Sequence, residues 1–321
     1  MVFKTIVVTG ASGFIGSWVM ETLARECPNS SIIGVGRRAG PSLWIDGPNC
    51  EYVSGDLLNP AIVRDRLPAK IDGLIHLAGD ARTFVEPRDC TSQTEANVLL
   101  TARMADYARE AGAELFLLAS SVYVYSGVVT CPFHEEAMAV PAENLGATKL
   151  AGEALVKARA LAGCFHALAY RIFTVYGPRS RPTQFIPEAI RKLQSGEGAA
   201  RFGAPEVKRD FVYVEDVAAA VVAGLTFRNT GQSWAALNVG SGRGTSIREL
   251  VFLLADLLGV TKRIEFSSEE RTKNEANRNH EADVRRIKSV LGWQPTIPLK
   301  EGLRRTIESL KAPAHISLAR G

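Results

Sequence analysis

Residues 6–16 read Ile-Val-Val-Thr-Gly-Ala-Ser-Gly-Phe-Ile-Gly, an apolar run followed by three glycines spaced three residues apart. The run predicts a buried strand, and the residues after it predict the start of a helix. In such a turn Gly10 would allow the sharp bend, Gly13 the approach of backbone N–H groups to a diphosphate, and Gly16 close helix packing. Glycine turns also occur without a ligand, but the flanking strand and helix favour a dinucleotide site. Its predicted contacts are Gly10, Ser12, Gly13, Phe14, Ile15 and Gly16.

The composition is that of an ordinary globular protein of 321 residues, with 46% hydrophobic residues and a formal net charge of +4. A charge this small argues against nucleic-acid or membrane-surface binding, and no apolar run reaches the length that spans a bilayer. The first strand begins almost at residue 1, so no signal peptide is expected. The five cysteines are scattered, which indicates reduced thiols and a cytoplasmic protein. No metal site is predicted, because the histidines are not spaced as ligands.

Strand and helix patterns alternate along the first half of the chain, which predicts a Rossmann-type doubly wound parallel sheet of the α/β class. The predicted strands are Thr5–Thr9, Ser31–Gly36, Glu51–Ser54, Gly73–Leu77, Leu115–Ala119 and Phe165–Arg171. The predicted helices are Gly13–Glu26, Pro60–Leu67, Glu95–Glu110 and Ala147–Leu161.

The character of the sequence changes after Tyr176-Gly177-Pro178, where proline and arginine become frequent. We therefore expect a dinucleotide-binding domain over 1–175 and a smaller, partly interleaved α/β substrate lobe over 176–321. Segments around 205–240 are expected to return to the first domain. Elements predicted in the second half are the helices Ile186–Gln194, Ile247–Leu258 and Leu299–Leu310 and the strand Phe211–Val214.

Polar and small residues follow several predicted strands, at the edge where such sheets bind their ligands. Asp56, followed by Leu57, is placed to accept a hydrogen bond from an adenine amine. The residues Leu77-Ala78-Gly79 would let the backbone approach a nicotinamide ribose. Ser121 closes another strand, and Lys149 lies early in a long helix within reach of a bound cofactor.

Taken in order, these segments resemble the extended short-chain dehydrogenase/reductase family, in particular its nucleotide-sugar epimerase and reductase branch. The likeness extends over essentially the whole chain. The matching segments are Thr9–Gly16, Gly55–Leu57, His76–Gly79, Asn97-Val98, Ser120–Tyr125, Gly146–Glu153, Val175–Arg179, Arg209–Val217, Asn238–Gly242 and Leu291–Pro295.

The resemblance implies roles for single residues around the reacting atoms. Ser121 would hydrogen-bond the reacting carbonyl or hydroxyl group of the substrate. Lys149 would hold the nicotinamide ribose and tune proton transfer, and Asn97 would support the site through backbone and water contacts. The long helices Glu95–Glu110 and Ala147–Leu161 resemble those that pair two subunits in this family, so a homodimer is expected.

The resemblance also implies where a substrate diphosphate binds. Arg209 matches the family position that contacts this group, and Arg271 is a second candidate by a looser match. Arg179 is a further candidate, because a guanidinium can pair with a phosphate in bidentate geometry.

The family's catalytic tyrosine lies four residues before the lysine, where this chain has Leu145. Leucine cannot exchange a proton, and positioned acid–base catalysis contributes about 10²–10⁴ in rate. Another group could replace the tyrosine, with Tyr123 the first candidate and His134 the second, although Tyr123 also reads as a packing residue. Lys149 could act through water, with a pKa lowered by burial. Alternatively, the protein binds its ligands without converting them.

Cofactor choice is predicted from the residues near the end of the second strand. An NAD site needs a carboxylate about 20 residues beyond the last glycine. That position is near Gly36, which is followed by Arg37 and Arg38. Because guanidinium groups pair with a 2′-phosphate, we expect NADP, with NAD as the second choice.

The residues after Ser121 reduce the number of possible reaction types. Sugar 4,6-dehydratases of the resembled family have Thr-Asp-Glu where this chain has Ser121-Val122-Tyr123. Val122 and Tyr123 cannot replace an acidic pair in water elimination, so a dehydratase is not expected. The prediction is an NAD(P)-dependent epimerase or ketoreductase of a nucleotide-linked sugar. The alternative is a catalytically weakened dinucleotide-binding module with a sensing or partner-binding role.

Overall fold

A computed structural model describes residues 3–40, 47–82, 90–127, 130–196, 198–267 and 279–311 of the chain. Its strands are β1 (Thr5–Thr9), β2 (Ser31–Gly36), β3 (Cys50–Ser54), β4 (Gly73–His76), β5 (Leu115–Ser121), β6 (His166–Ile172), β7 (Thr174–Tyr176), β8 (Ala200–Gly203), β9 (Lys208–Tyr213), β10 (Trp234–Val239), β11 (Gly244–Ser246) and β12 (Ile264–Ser267). Seven of them form one parallel sheet in the order β10-β6-β5-β4-β1-β2-β3. The prediction of a Rossmann-type doubly wound fold is confirmed.

Some helices pack on the two faces of this sheet, and others form the smaller core beside it. They are α1 (Phe14–Glu26), α2 (Pro60–Arg66), α3 (Cys90–Thr94), α4 (Leu100–Glu110), α5 (Asn144–Leu161), α6 (Phe185–Gln194), α7 (Val214–Gly224) and α8 (Ile247–Leu258), together with the helices Arg285–Leu291 and Leu299–Lys311. Side chains of α1 and α7 join one buried cluster against the sheet, and those of α4 and α5 join another. Within the described ranges, no helix is both long and apolar enough to cross a membrane.

The strand order fixes where a ligand can bind. After β1 the chain builds β2 and β3 on one side, and then crosses to build β4, β5 and β6 on the other. The loops that leave β1 and β4 therefore diverge, which opens a crevice at the carboxyl ends of these strands. The glycine turn after β1 lies at this crevice.

A second, smaller core lies beside the sheet. It contains the three-stranded sheet β11-β9-β7 and the strand pair β12-β8. Apolar side chains of α6, α8 and the helix Leu299–Lys311 pack into one buried cluster there. Strand β10, from the second half of the chain, pairs in parallel with β6 and so extends the main sheet. The proposed division into domains over 1–175 and 176–321 stays a prediction.

Several predicted elements differ from the structure. The helix expected at Glu95–Glu110 begins at Cys90, and Glu95–Leu99 forms a π-helical turn within it. The strand expected at Phe211–Val214 is β9, which ends one residue earlier because Val214 begins α7. Neither α7 nor β10 was expected. Both are nearly continuous apolar segments, which lack the periodicity that separates helix from strand.

Candidate functional site

The turn after β1 can accept a diphosphate only because of its glycines. Gly10 has a positive φ of 72°, and a Cβ there would lie 2.8 Å from the backbone nitrogen of Ala78. A Cβ on Gly16 would overlap the Gly10 carbonyl oxygen. Gly13 caps α1, and no described side chain fills that cap or places an acidic group in the first turn. Backbone N–H groups at this helix end therefore fit a diphosphate, as predicted for the turn.

A chain of hydrogen bonds beneath this turn fixes the tautomer of His76. The Thr101 hydroxyl donates to the Asn97 carbonyl oxygen at 2.7 Å, so its oxygen must accept from His76 Nε2 at 3.2 Å. His76 Nδ1 then accepts from the Thr9 hydroxyl at 2.7 Å, and Thr9 Oγ1 accepts from the Ala78 N–H at 3.2 Å. Burial, and then the charge of Lys149, lowers the pKa of His76 to about 3, so the ring is neutral.

Asn97 holds the loop after β4. Its side-chain oxygen accepts from the Asp80 N–H, and its amide nitrogen donates to the Asp80 carbonyl, both at 2.9 Å. Buried Gln93 supports the same loop by donating to the Arg82 carbonyl oxygen at 2.9 Å. In turn, Asn144 donates to Gln93 Oε1 at 2.7 Å, which connects the loop to the start of α5.

Lys149 is the buried cation of the site, with 8% of its surface exposed. Its Nζ donates to the Ala119 carbonyl oxygen at 2.9 Å, and a Cβ on Gly79 would lie 3.1 Å from that nitrogen. Burial lowers the pKa of Lys149 to about 8, while the charges of Asp80 and Glu153 oppose that shift. An ammonium with this pKa can exchange a proton near neutral pH.

Leu145 lies one helical turn before Lys149 and is 3% exposed. Its side chain brings no proton-exchanging group to the site. The neighbouring Gly146 packs so closely that a Cβ there would overlap the Tyr123 carbonyl oxygen. The backbone of Tyr123 therefore packs against α5 at the residue after Leu145.

Ser121 ends β5 and caps the short 3₁₀ turn Val122–Tyr125, with its Oγ accepting from the Tyr123 N–H at 3.3 Å. Both side chains are partly exposed. The ring of Tyr123 meets that of buried His280 edge to face, with 5.6 Å between centroids. His134, the other candidate acid, is exposed, and its charge acts on Asp283.

A buried ion pair lies directly behind Ser120 and Ser121. Arg171 on β6 donates to both carboxylate oxygens of Glu153 on α5, at 3.1 and 2.7 Å. The Ser120 hydroxyl donates to the same carboxylate at 2.5 Å, and Arg171 also donates to the Tyr125 hydroxyl at 2.8 Å. Although burial opposes it, the hydrogen bonds and charge of Glu153 raise the pKa of Arg171. The pair fixes α5 against β5 and β6.

The end of the crevice where the sequence predicts adenosine binding is formed by the ends of β2 and β3. Gly36 is buried, and a Cβ there would lie 2.5 Å from Ser12 Oγ and 2.7 Å from the Tyr52 hydroxyl. Arg37 and Arg38 come directly after it and are exposed. At the end of β3 the exposed Asp56 accepts from the Leu58 N–H at 3.0 Å, and Leu57 beside it is buried.

The three arginines predicted to bind a substrate diphosphate lie in different surroundings. Arg179 has a φ of 70°, donates to Glu21 at 2.5 Å and lies over the Trp18 ring, so it is bound to α1. Arg209 lies on β9, where its guanidinium donates to the Lys208 carbonyl oxygen at 3.0 Å. Arg271 lies outside the described residues. The diphosphate-binding roles of all three stay predictions.

Several polar residues of the site could not be found from the sequence pattern. Asp80 comes directly after the predicted Leu77–Gly79 segment, so a charged residue just beyond a strand end was the available signal. Gln93 and Asn144 give no such signal, because their contacts join parts of the chain that are 51 residues apart. His280 likewise meets Tyr123 only through the tertiary fold.

Comparison with known proteins agrees with this geometry. Residues 6–240 match the NAD dependent epimerase/dehydratase family. The GDP-6-deoxy-D-mannose reductase of Pseudomonas aeruginosa is 30% identical over 309 residues, which are 94% of this chain and 95% of that protein. The dTDP-D-glucose 4,6-dehydratase of Mus musculus is 28% identical over 323 residues, 97% of this chain and 90% of that protein.

A solved structure gives the same result for the fold and the family. MoeE5 in complex with UDP-glucuronic acid and NAD superposes with a TM-score of 0.83 at 33% identity, over 95% of this chain and 98% of that one. The resemblance to extended short-chain dehydrogenases/reductases is thereby confirmed. From the match over residues 6–240 and the agreement in fold, the chain belongs to the NAD dependent epimerase/dehydratase family.

Proposed function

We propose that this protein is an NAD(P)-dependent epimerase or ketoreductase of a nucleotide-linked sugar. The observation that carries the proposal is the Lys149 ammonium, which is buried at the same sheet edge as the glycine turn and shares one crevice with Ser121. Burial lowers the pKa of this ammonium to about 8, which suits proton transfer near neutral pH. The relatives named above, a reductase and a dehydratase, support the substrate class.

Each residue of the site has a separate task in this reaction. A bound nicotinamide would supply or accept the hydride at a sugar carbon. Ser121 would hydrogen-bond the oxygen on that carbon, and Lys149 would hold the ribose hydroxyls and keep a positive charge near the oxygen. The proton would move between that oxygen and either the Tyr123 hydroxyl or Lys149 through one water.

Epimerisation or reduction is favoured over 4,6-dehydration. Water elimination in the resembled dehydratases uses an acidic pair directly after the residue equivalent to Ser121. Here Val122 is buried in an apolar cluster with the ring of Tyr123 at its edge, so neither residue supplies a carboxylate. The 28% identity to a 4,6-dehydratase is compatible with this assignment, because fold and substrate class are shared more widely than the reaction.

The second candidate function is a catalytically weakened module that senses the dinucleotide or binds a partner. Leu145 is the observation that favours it, because a buried leucine occupies the position of the family's proton donor. Homodimerisation through α4 and α5 also stays a prediction.

Leu145→Tyr separates the two candidates. The purified protein is incubated with NADPH or NADH and a panel of 4-keto nucleotide sugars, while reduced nicotinamide and sugar epimers are measured. We expect the natural protein to turn over at least one sugar, and Leu145→Tyr to leave that rate unchanged or lower it, because a replacement acid already operates. Leu145→Phe is the matched control for ring size without the hydroxyl. Turnover that appears only with Leu145→Tyr would identify the weakened module.

We further propose NADP as the preferred cofactor, with NAD as the second choice. Ser12 and Tyr52 fill the space that a carboxylate on residue 36 would need, and Arg37 and Arg38 offer guanidinium groups for a 2′-phosphate. The structural relative MoeE5 is described in complex with NAD, so this preference would be a difference between the two proteins.

Gly36→Asp tests this preference. The new carboxylate would repel a 2′-phosphate and displace Ser12 and Tyr52, so we expect NADPH to bind at least about tenfold more weakly. NADH affinity should not rise, because the same two hydroxyl groups obstruct the carboxylate. Calorimetric titration of both cofactors measures this, with Gly40→Asp as the control, since a Cβ on Gly40 meets nothing within 4 Å. A natural protein that binds NADH tenfold more tightly than NADPH would contradict the proposal.

A further inference from the structure

The loop after β4 passes close to the Lys149 side chain, and Asp80 is the acidic residue in this part of the loop. Gly79, the residue before it, is so close to Lys149 that a Cβ there would lie 3.1 Å from Nζ. We propose that Asp80 is a positioning residue that keeps the Lys149 side chain charged at the reacting end of the site. Its catalytic meaning rests on the function proposed above, whereas its effect on Lys149 does not.

The backbone of Asp80 is held on both sides. Asn97 binds its N–H and its carbonyl oxygen at 2.9 Å each, and Gln93 holds the Arg82 carbonyl two residues later. Asn97 and Gln93 are both buried, and Asn97 also donates to Thr148 on α5 at 3.0 Å. The Asp80 carboxylate also accepts from the Arg82 N–H at 3.0 Å. The side-chain oxygen of an asparagine could accept the same bond, so Asp80→Asn removes the charge and keeps these backbone contacts of the loop.

The charges around Lys149 favour Asp80 over the other carboxylate. Glu153 also acts on Lys149, but buried Arg171 binds both of its oxygens and so offsets its negative charge. Asp80 is paired with Arg82, whose side chain is 49% exposed and therefore screened by water. His76, on the remaining side, is neutral at the pH values that matter.

Asp80 itself stays ionised. Burial opposes this, but hydrogen bonds from Arg82 and the charges of Arg82 and Arg181 hold the pKa of Asp80 below its ordinary value. Asp80 therefore carries a negative charge at neutral pH, in the residue after Gly79. Together with Glu153, this charge opposes the lowering of the Lys149 pKa that burial causes.

Asp80→Asn tests the inference in the cofactor-free protein. The ε-carbon resonance of Lys149, assigned with Lys149→Arg, is titrated by NMR, and we expect its midpoint to fall by about one pH unit. Asp283→Asn is the matched control. Both oxygens of Asp283 accept hydrogen bonds from Arg285, as those of Asp80 do from Arg82, but Asp283 does not act on Lys149. Arg82→Gln should raise the same midpoint. If the Asp80–Arg82 pair had only a structural role, Asp80→Asn and Arg82→Gln would shift the Lys149 midpoint in the same direction.

The result separates this inference from the proposed function. A Lys149 midpoint that is unchanged by Asp80→Asn overturns the inference, whether or not the protein is active. A lowered midpoint in a protein that converts no nucleotide sugar supports the inference and contradicts the enzymatic function. In an active enzyme, the pH midpoint of kcat/KM should move with the NMR midpoint.

Discussion

Lys149→Met is expected to lower kcat for a nucleotide sugar by about 10²–10⁴, the usual contribution of a positioned proton-transfer group. Methionine keeps most of the side-chain length and fills the same buried space, but it brings no charge to the Ala119 carbonyl or to a ribose. Lys157→Met, on an exposed position of the same helix, is the control. Equal rates for the two variants would contradict the role given to Lys149.

The pKa of Lys149 also predicts how the activity changes with pH. Where the Lys149 ammonium supplies the proton in the reductive direction, kcat/KM should fall as pH rises through about 8, the pKa of Lys149. This limb should be absent from the residual activity of Lys149→Met. The folded pKa lies below that of an unfolded lysine, so burial of the charge costs stability at neutral pH and this cost disappears at higher pH. The methionine variant should therefore melt at the same temperature or higher.

Arg171→Met is expected to destabilise the fold by about 3–5 kcal/mol, because it leaves the buried carboxylate of Glu153 without its partner. The two side chains are 8% and 4% exposed, so water cannot take over the lost hydrogen bonds. Urea unfolding monitored by circular dichroism measures the change. Arg159→Met breaks the more exposed pair with Asp106 and should cost much less.

The double variant Arg171→Met/Glu153→Gln shows whether the uncompensated charge is the cause. Replacing the carboxylate with an amide removes the charge while keeping a group that can accept from Ser120. The double variant should therefore be more stable than Arg171→Met alone. If it is equally unstable or less stable, lost packing and not the buried charge explains the effect.

The glycine turn and the alternation of strands and helices were sufficient to predict six of the seven strands of the main sheet. Both signals are visible in a short sequence window, since the glycine spacing occupies seven residues and each strand is a short apolar run, although the Gly10 turn also packs against the distant backbone of Ala78. The path of the chain after Tyr176 was harder to predict, because β10 leaves the second half to pair with β6. Strand pairing over such a distance depends on tertiary packing, which a sequence window does not contain.

The candidate site was predictable where a residue type has a fixed chemical task, as for Ser121 and Lys149. It was not predictable where function depends on a neighbour distant in sequence. The contact of Arg179 with Glu21, and that of Tyr123 with His280, both bridge about half the chain. The role proposed for Asp80 could not be predicted for the same reason, because it depends on Lys149, which lies on another element.

The π-helical turn Glu95–Leu99 has a consequence for insertions and deletions in this chain. One extra residue in a helix rotates the residues before it by about 100° relative to the residues after it. Gln93 and Asn97 reach the β4 loop while Leu100–Glu110 keeps its apolar face on the sheet, and this requires that offset. A single-codon deletion at this turn would aim both amides away from Asp80. We therefore expect this turn to tolerate side-chain substitutions but not the insertion or deletion of a residue.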